Sequence, residues 1–203
     1  MPIPDKPFSQ ACENNKRFIL DRINDQFLPG SAILEIGSRT AQHVTFFAQM
    51  LPQVRWLPSD MPENMGTLMQ CLDGHQCENI AAPVPLDVTQ MPWPLSSASV
   101  DGVFSANTLH IMPWIAVECV FLGVGRVLRP GGKLCVYGPF KYGGEFTTPS
   151  NAQFDATLRS QNAESGLRDF EHVTALAEAQ DFELLADHDM PANNQLLIWQ
   201  VRE

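Results

Sequence analysis

The polar residues best placed for chemistry in this 203-residue chain stand where runs of strand-forming residues stop. AILEI ends at Gly37-Ser38-Arg39-Thr40, VRWLPS ends at Asp60-Met61, APVPL ends at Asp87-Val88, and VDGVFSA ends at Asn107. Glycine at position 37 lets the backbone turn sharply against a ligand, and the amides of Ser38 to Thr40 open a helix whose positive end can hold a carboxylate or phosphate. Asp60 follows at about the 20-residue spacing at which an acid commonly accepts from both hydroxyls of a ribose. Asp87 and Asn107 add acceptors for an adenine amino group and a ligand amine. Any one of these is an ordinary cap or turn residue; at successive strand ends they describe one ligand-binding edge. The dinucleotide fingerprint GxGxxG is absent after Gly37, whose loop carries Arg39 and Ala41 instead of further glycines, which argues against a nicotinamide oxidoreductase.

Other residues admit two readings. His43, in the first turn after the glycine loop, either faces a ligand or makes a structural hydrogen bond. His110, just past the fourth strand, and Tyr142 are acid-base or substrate-orienting candidates as well as packing residues. Cys71 and Cys77 read as ordinary thiols. Asp155 and Arg159, four apart, read as a helical surface pair.

Apolar runs alternating with helical patterns position these groups and predict an α/β fold. A helix is expected from Ala11 to Phe27, stopped by Pro29-Gly30, then a strand at 32–36, a helix from Thr40 to Leu51 and a strand from Val54 to Pro58. A helix over Pro62 to Leu72, a strand near Ala82 to Leu86 and a strand over 100–105 follow. Pro113 opens a helix that runs to Leu128, where Arg-Pro-Gly-Gly at 129–132 ends it and feeds the strand KLCVYG. Residues 141–170 interrupt the alternation with a Gly143-Gly144 hinge and a short helix, capped by Ser150 and Gln153 at capping-box spacing. A helix from Asp169 to Gln180 leads to FELLADH and QLLIWQV, whose short connection allows a hairpin but no parallel crossover. The last strand is apolar on both faces and belongs inside the sheet.

Composition bounds the rest. A hydrophobic fraction of 44% with 18% charged residues suits a folded chain of one domain, and a net charge of −10 argues against nucleic acid as a partner. The longest charge-free stretch, Gly102 to Val117, holds Asn107, His110 and Pro113 and is too short and polar to span a bilayer. Five scattered cysteines without a CxxC pair suit reduced thiols and argue against a metal site. With no secretory pattern at the start, a cytoplasmic setting is the expectation.

Through Glu35-Ile36-Gly37, Asp60, Leu86-Asp87-Val88 and the LRPGGKL of 128–134, the chain resembles class I S-adenosylmethionine-dependent methyltransferases. More narrowly it resembles the DUF938 family, through Ser9 to Lys16, Gln42-His43, Pro58-Ser59-Asp60, Tyr137 to Phe140, Ser150 to Ala152 and Met190 to Asn194. The resemblance implies a Rossmann-like, mostly parallel seven-stranded sheet with an antiparallel last strand and helices on both faces. It implies S-adenosylmethionine held by Glu35, Gly37, Ser38, Arg39, Thr40, Asp60, Met61, Asp87, Val88 and Asn107. It departs from the family's EIASGTGQH pattern at Arg39 and Ala41, and Arg39 either grips the methionine carboxylate or obstructs the site. The acceptor is expected to be a small molecule met by Asn14, Asn15, Lys16, Tyr142 and Asn193, under a lid built from 141–170 and the N-terminal segment 1–29. The rival is a binding module that keeps the fold without turnover.

Overall fold

The computed structural model describes residues 6–202; residues 1–5 and 203 of the expected 1–203 unit lie outside them. The chain opens with α1 (Gln10–Ile23), whose N-cap Ser9 accepts from the Cys12 amide. Then come β1 (Ala32–Ile36), α2 (Gln42–Met50), β2 (Arg55–Asp60), a 3-10 turn at Pro62–Asn64, α3 (Met65–Leu72), β3 (Val84–Pro85) and β4 (Val100–Ala106). α4 (Trp114–Val127) leads into β5 (Leu128–Gly138). After β6 (Phe140–Tyr142), β7 (Glu145–Phe146), α5 (Pro149–Gln161) and β8 (Arg168–Asp169), the chain returns through α6 (Phe170–Glu178) to β9 (Phe182–Met190) and β10 (Asn194–Val201).

The main sheet has seven strands in the order β3-β2-β1-β4-β5-β10-β9. β1 to β5 run parallel, while β10 lies antiparallel between β5 and β9, so the hairpin's second strand is interior as its two apolar faces require. Alternation along the central strands divides the core. Leu34, Val103, Leu134, Val136, Leu197 and Trp199 face α4 and α6, and Ile33, Phe104, Cys135, Leu196 and Ile198 face α1, α2 and α3. The result is the Rossmann-like sheet covered by helices on both faces. Among the described residues no helix is long and apolar enough to cross a membrane.

Several boundaries differ from the sequence expectation for local reasons. α1 stops at Ile23, although Phe27 beyond it is still buried, at 5% exposure. β3 shrinks to Val84–Pro85, an edge where proline's missing N–H costs no ladder bond. Arg-Pro-Gly-Gly does not precede the fifth strand but bulges within it, since Val100 pairs with Leu128 and Gly102 with Lys133. The inserted helix is capped by Thr148, whose hydroxyl accepts from the Asn151 amide with Pro149 in the first turn, not by Ser150.

Trp199 has no exposed surface and packs edge-on against Phe121, at 5.9 Å between centroids. Trp199→Ala is expected to cost about 3–5 kcal/mol, measured as a lower urea midpoint. A loss below about 1 kcal/mol would show that β10 is not the keystone of this core.

Candidate functional site

The parallel pairing puts the ends of β1, β2, β3 and β4 in line. Ile36 pairs with Ser59 and with Ser105, Asp60 pairs with Pro85, and Ala106 pairs with Tyr137 near the end of β5. The strand order switches between β1 and β4, which opens the crevice at which doubly wound sheets bind ligands. Gly37, with φ of 80°, sits in it: a Cβ there would stand 2.5 Å from the Thr108 methyl.

The loop after β1 is tied to β2. The amides of Gly37 and Ser38 both donate to Ser59 O, at 3.0 and 2.9 Å, and the Arg39 amide donates to Asp60 Oδ2 at 2.7 Å. These amides, expected to serve a ligand, are therefore spent on the protein. The N-terminus of α2, at Gln42, carries neither a side-chain cap nor an acid in its first turn, so its amides remain for an anion. Arg39 and Ala41 adopt φ of 36° and 56°, the left-handed backbone that glycine would hold without strain. Arg39 is exposed, its side chain turned to solvent.

Two carboxylates lie beneath this loop. Asp60 is 7% exposed and also accepts, through Oδ1, from the Met61 amide at 2.8 Å and Asn64 Nδ2 at 2.7 Å. Glu35 is 2% exposed and accepts from the Ser38 hydroxyl at 2.5 Å. Among the described residues neither has a basic partner. Burial, offset in part by the Ser38 hydroxyl and reinforced by the neighbouring Asp60 charge, pushes Glu35 up to about 7. Asp87, half-buried past β3, closes a turn by accepting from the Thr89 hydroxyl and amide, which hold it below the usual carboxylate range. Val88 and Met61 flank the edge, Val88 packed into the core and Met61 half-buried.

Asn107, with φ of 55°, joins this edge to a cavity of about 640 Å³. Asn14 and Asn15 of α1, His110, Asn151 and Phe154 of α5, and Asn193 of the β9–β10 connection share its wall. β10 runs antiparallel, so its beginning lies beside Gly138 at the same end of the sheet, which brings the connection there. A Cβ on Gly138 would stand 3.5 Å from His110 Nδ1 and 3.9 Å from Asn107 Oδ1, so both polar atoms converge on that glycine. His43 is structural: its Nε2 donates to Asn15 Oδ1 at 2.7 Å, and burial lowers it to about 4.

The loop carrying His110 is gripped by the segment before β8. Arg168 Nε donates to Leu109 O at 2.9 Å, the Gly166 amide to His110 O at 2.9 Å and the Ser165 hydroxyl to Ile111 O at 2.7 Å. Arg168 Nη2 donates to Met112 O. Asp155 anchors that segment in turn, with Oδ1 accepting from the Leu167 amide and Oδ2 from Arg159 Nε, both at 2.7 Å. Asp155 is thus buried and not the surface partner its spacing suggested, because one oxygen faces inward.

The structure brings Gly37, Ser38, Asp60, Asp87 and Asn107 to one edge, and Asn14, Asn15, His110 and Asn193 to the cavity. Thr40 is half-buried in the glycine loop. It does not bring Lys16 or Tyr142 to the cavity wall. Lys16 pairs with Glu13 at 2.6 Å and lies over the Phe46 ring, while Tyr142 donates to Asp187 Oδ2 at 2.7 Å and stacks on Phe170. Burial and the Asp187 carboxylate push its phenol well above the usual range. Sequence reasoning missed Asn151, Asn194 and the Arg168 clamp. Asn151 and Asn194 sit in the motifs Ser150 to Ala152 and Met190 to Asn194, but only folding shows that these motifs meet.

Glu35 binds a proton in the folded chain that it releases when unfolded between about 4.5 and about 7. Its contribution to stability is therefore full below pH 4.5 and lost as pH rises toward 7. His43 and His110, each lowered to about 4, act oppositely and lose stability as pH falls. Their share cancels in the difference between Glu35→Gln and wild type. That difference is expected to grow in the variant's favour across this range, to on the order of 3 kcal/mol, as read from urea midpoints; a flat difference would mean that Glu35 ionises freely.

The profile of the family described as "Protein of unknown function (DUF938)" matches residues 6–201. The malonyl-[acyl-carrier protein] O-methyltransferase of Alcanivorax borkumensis is 30% identical over 112 residues, which make up 55% of this chain and 36% of that enzyme. Among solved structures, human N-acetylserotonin methyltransferase in complex with SAM superposes with a TM-score of 0.80 at 15% identity, over 96% of this chain and 53% of that one. A putative methyltransferase from Bacillus halodurans gives 0.72 at 13% identity, over 92% and 98%. The chain spans little more than a third of the first relative and about half of the human enzyme. The fold is that of the S-adenosylmethionine-dependent methyltransferases, and by a match over nearly its whole length the chain belongs to the DUF938 family.

Proposed function

We propose that this protein binds S-adenosylmethionine along the β1–β4 edge and transfers its methyl group to a small molecule in the adjoining cavity. The observation that carries this reading is the pair of buried carboxylates, Glu35 and Asp60, with no cation beside them among the described residues. A ligand with ribose hydroxyls and a cationic amino-acid tail fits both: Asp60 keeps a lone pair on Oδ2 for a hydroxyl donor, and Glu35 gains the counter-charge that burial denies it. The uncapped start of α2 suits the tail's carboxylate. Ser38, Thr40, Met61 and Val88 shape the walls, Asp87 and Asn107 receive the adenine and amine donors, and Arg39, on the outer side of the loop, reaches at most the carboxylate. The strain kept at Arg39 and Ala41 supports a loop whose shape is needed, since left-handed residues cost about 1–3 kcal/mol each.

When bound, S-adenosylmethionine supplies a methyl group on a sulfonium. The residues then work mostly by orientation, which can be worth about 7–11 kcal/mol. Asn107 is the one edge residue that also lines the cavity, so it sets where the acceptor meets the donor. His110, 5% exposed and lowered to about 4 by burial and by the Arg168 charge, is neutral at physiological pH; its imidazole nitrogen accepts a hydrogen bond from an attacking hydroxyl and orients it. The first helix and the 141–170 segment, which bring Asn14, Asn15, Ser150, Asn151 and Phe154 to the wall, act as the lid that excludes water. The distant likeness to an O-methyltransferase supports oxygen as the acceptor atom.

Asp60→Asn is expected to weaken S-adenosylhomocysteine binding by about 1.5–3 kcal/mol in calorimetry; an unchanged dissociation constant would remove Asp60 from the site. His110→Ala is expected to leave that affinity within about twofold and to lower kcat about 10²-fold. Unaltered turnover would assign His110 to packing against Phe154 alone.

A further inference from the structure

Among the described residues no lysine, arginine, aspartate or glutamate lines the cavity. The titratable side chains among them on its wall are His110 and Tyr137. Burial lowers the first to about 4 and raises the second, so the wall stays uncharged through the neutral range. An anion entering it would lose its hydration shell without meeting a counter-charge.

The amides that take the place of charges are not free to turn. Asn151 Nδ2 donates to Thr147 Oγ1 at 2.9 Å and to Asn193 O at 3.0 Å. Asn193 Nδ2 donates to Ser150 Oγ at 3.2 Å, and Asn194 Nδ2 to Pro191 O at 3.1 Å and Ala192 O at 3.2 Å. In each of the three the nitrogen serves the protein, and among the described residues the Oδ1 receives no donor. Gln195, one residue on and 7% exposed, repeats the pattern: Nε2 is held by Asp189 at 3.2 Å while Oε1 is buried without a partner. The side of the wall built by α5 and the β9–β10 connection is thus short of donors and rich in acceptors, whereas on α1 it is the oxygens of Asn14 and Asn15 that are taken, by Gln10 Nε2 at 2.8 Å and His43 Nε2 at 2.7 Å.

We propose that the cavity takes an uncharged small molecule that presents N–H or O–H groups to Asn151, Asn193 and Asn194 and an apolar face to Phe154 and Pro139, and that it rejects carboxylates and phosphates. A cation would gain the amide dipoles but no counter-charge, and it would face the donor's own positive charge across Asn107. The methyl-transfer reading enters only in calling this molecule the acceptor and in that last repulsion.

The test uses three matched probes, para-hydroxybenzamide, para-hydroxybenzoate and para-hydroxybenzylamine. Their affinities are measured by saturation-transfer NMR on the full chain, with and without S-adenosylhomocysteine. Ala11→Trp, at an exposed position of α1 on the cavity wall, fills the space without touching the core. The benzamide is expected to bind about tenfold more tightly than either charged probe and to be lost in Ala11→Trp. Equal or tighter binding of a charged probe, or no benzamide binding that Ala11→Trp removes, overturns the proposal. If the benzamide preference holds while S-adenosylhomocysteine fails to bind, the methyl-transfer reading falls alone; if S-adenosylhomocysteine binds while the benzoate is preferred, the cavity proposal falls alone.

Discussion

Two carboxylates, buried with no cation beside them among the described residues, set the terms for the rest of this molecule. Removing an ionised carboxylate from water is costly unless hydrogen bonds or an opposite charge replace the lost solvation. Asp60 solves this with donors: the Arg39 and Met61 amides and the Asn64 side chain converge on it. In doing so it fixes the glycine loop to the end of β2. Among the described residues Glu35 has only the Ser38 hydroxyl, and it responds by holding its proton to about pH 7. That a folded chain tolerates both groups at one edge is what supports our proposal of a partner carrying hydroxyls and positive charge.

The sheet supplies the geometry. Parallel pairing of β1 with β2 and β4 puts loops from separate parts of the chain at one end, and the antiparallel β10 adds the β9–β10 connection there. Left-handed backbone recurs where the chain leaves these strands, at Gly37, Arg39, Ala41 and Asn107, and again at Ala192 and Asn193. Strain held outside glycine concentrates at the edge and the cavity rim, where a particular loop shape matters more than local comfort. The buried guanidinium of Arg168, spanning the carbonyls of the His110 loop, performs the matching task on the far wall.

Much of this was legible in the residues. Periodicity revealed the strand–helix alternation, and the two apolar faces of QLLIWQV placed the last strand inside the sheet. Polar residues at strand ends marked the edge to which we assign the ligand. What stayed hidden depended on where polar atoms find partners after folding. Nothing in the spacing says that Ser38 and Arg39 amides would be taken up by β2, or that Tyr142 would turn to Asp187. Asp155 and Arg159 have the spacing of a surface pair, and only the approach of Leu167 makes Asp155 a buried anchor. Asn151 and Asn193, far apart in sequence, become neighbours through Asn151 Nδ2 and the Asn193 carbonyl.

The central claim is that one continuous site runs from the carboxylate edge past Asn107 into the asparagine-walled cavity. A crystal structure of the protein with S-adenosylhomocysteine tests it most directly. The expected result has a ribose hydroxyl on Asp60, the amino group of the tail toward Glu35 and the sulfur facing the cavity beside Asn107. A nucleoside bound elsewhere, or one whose sulfur points away from the cavity, would contradict the account.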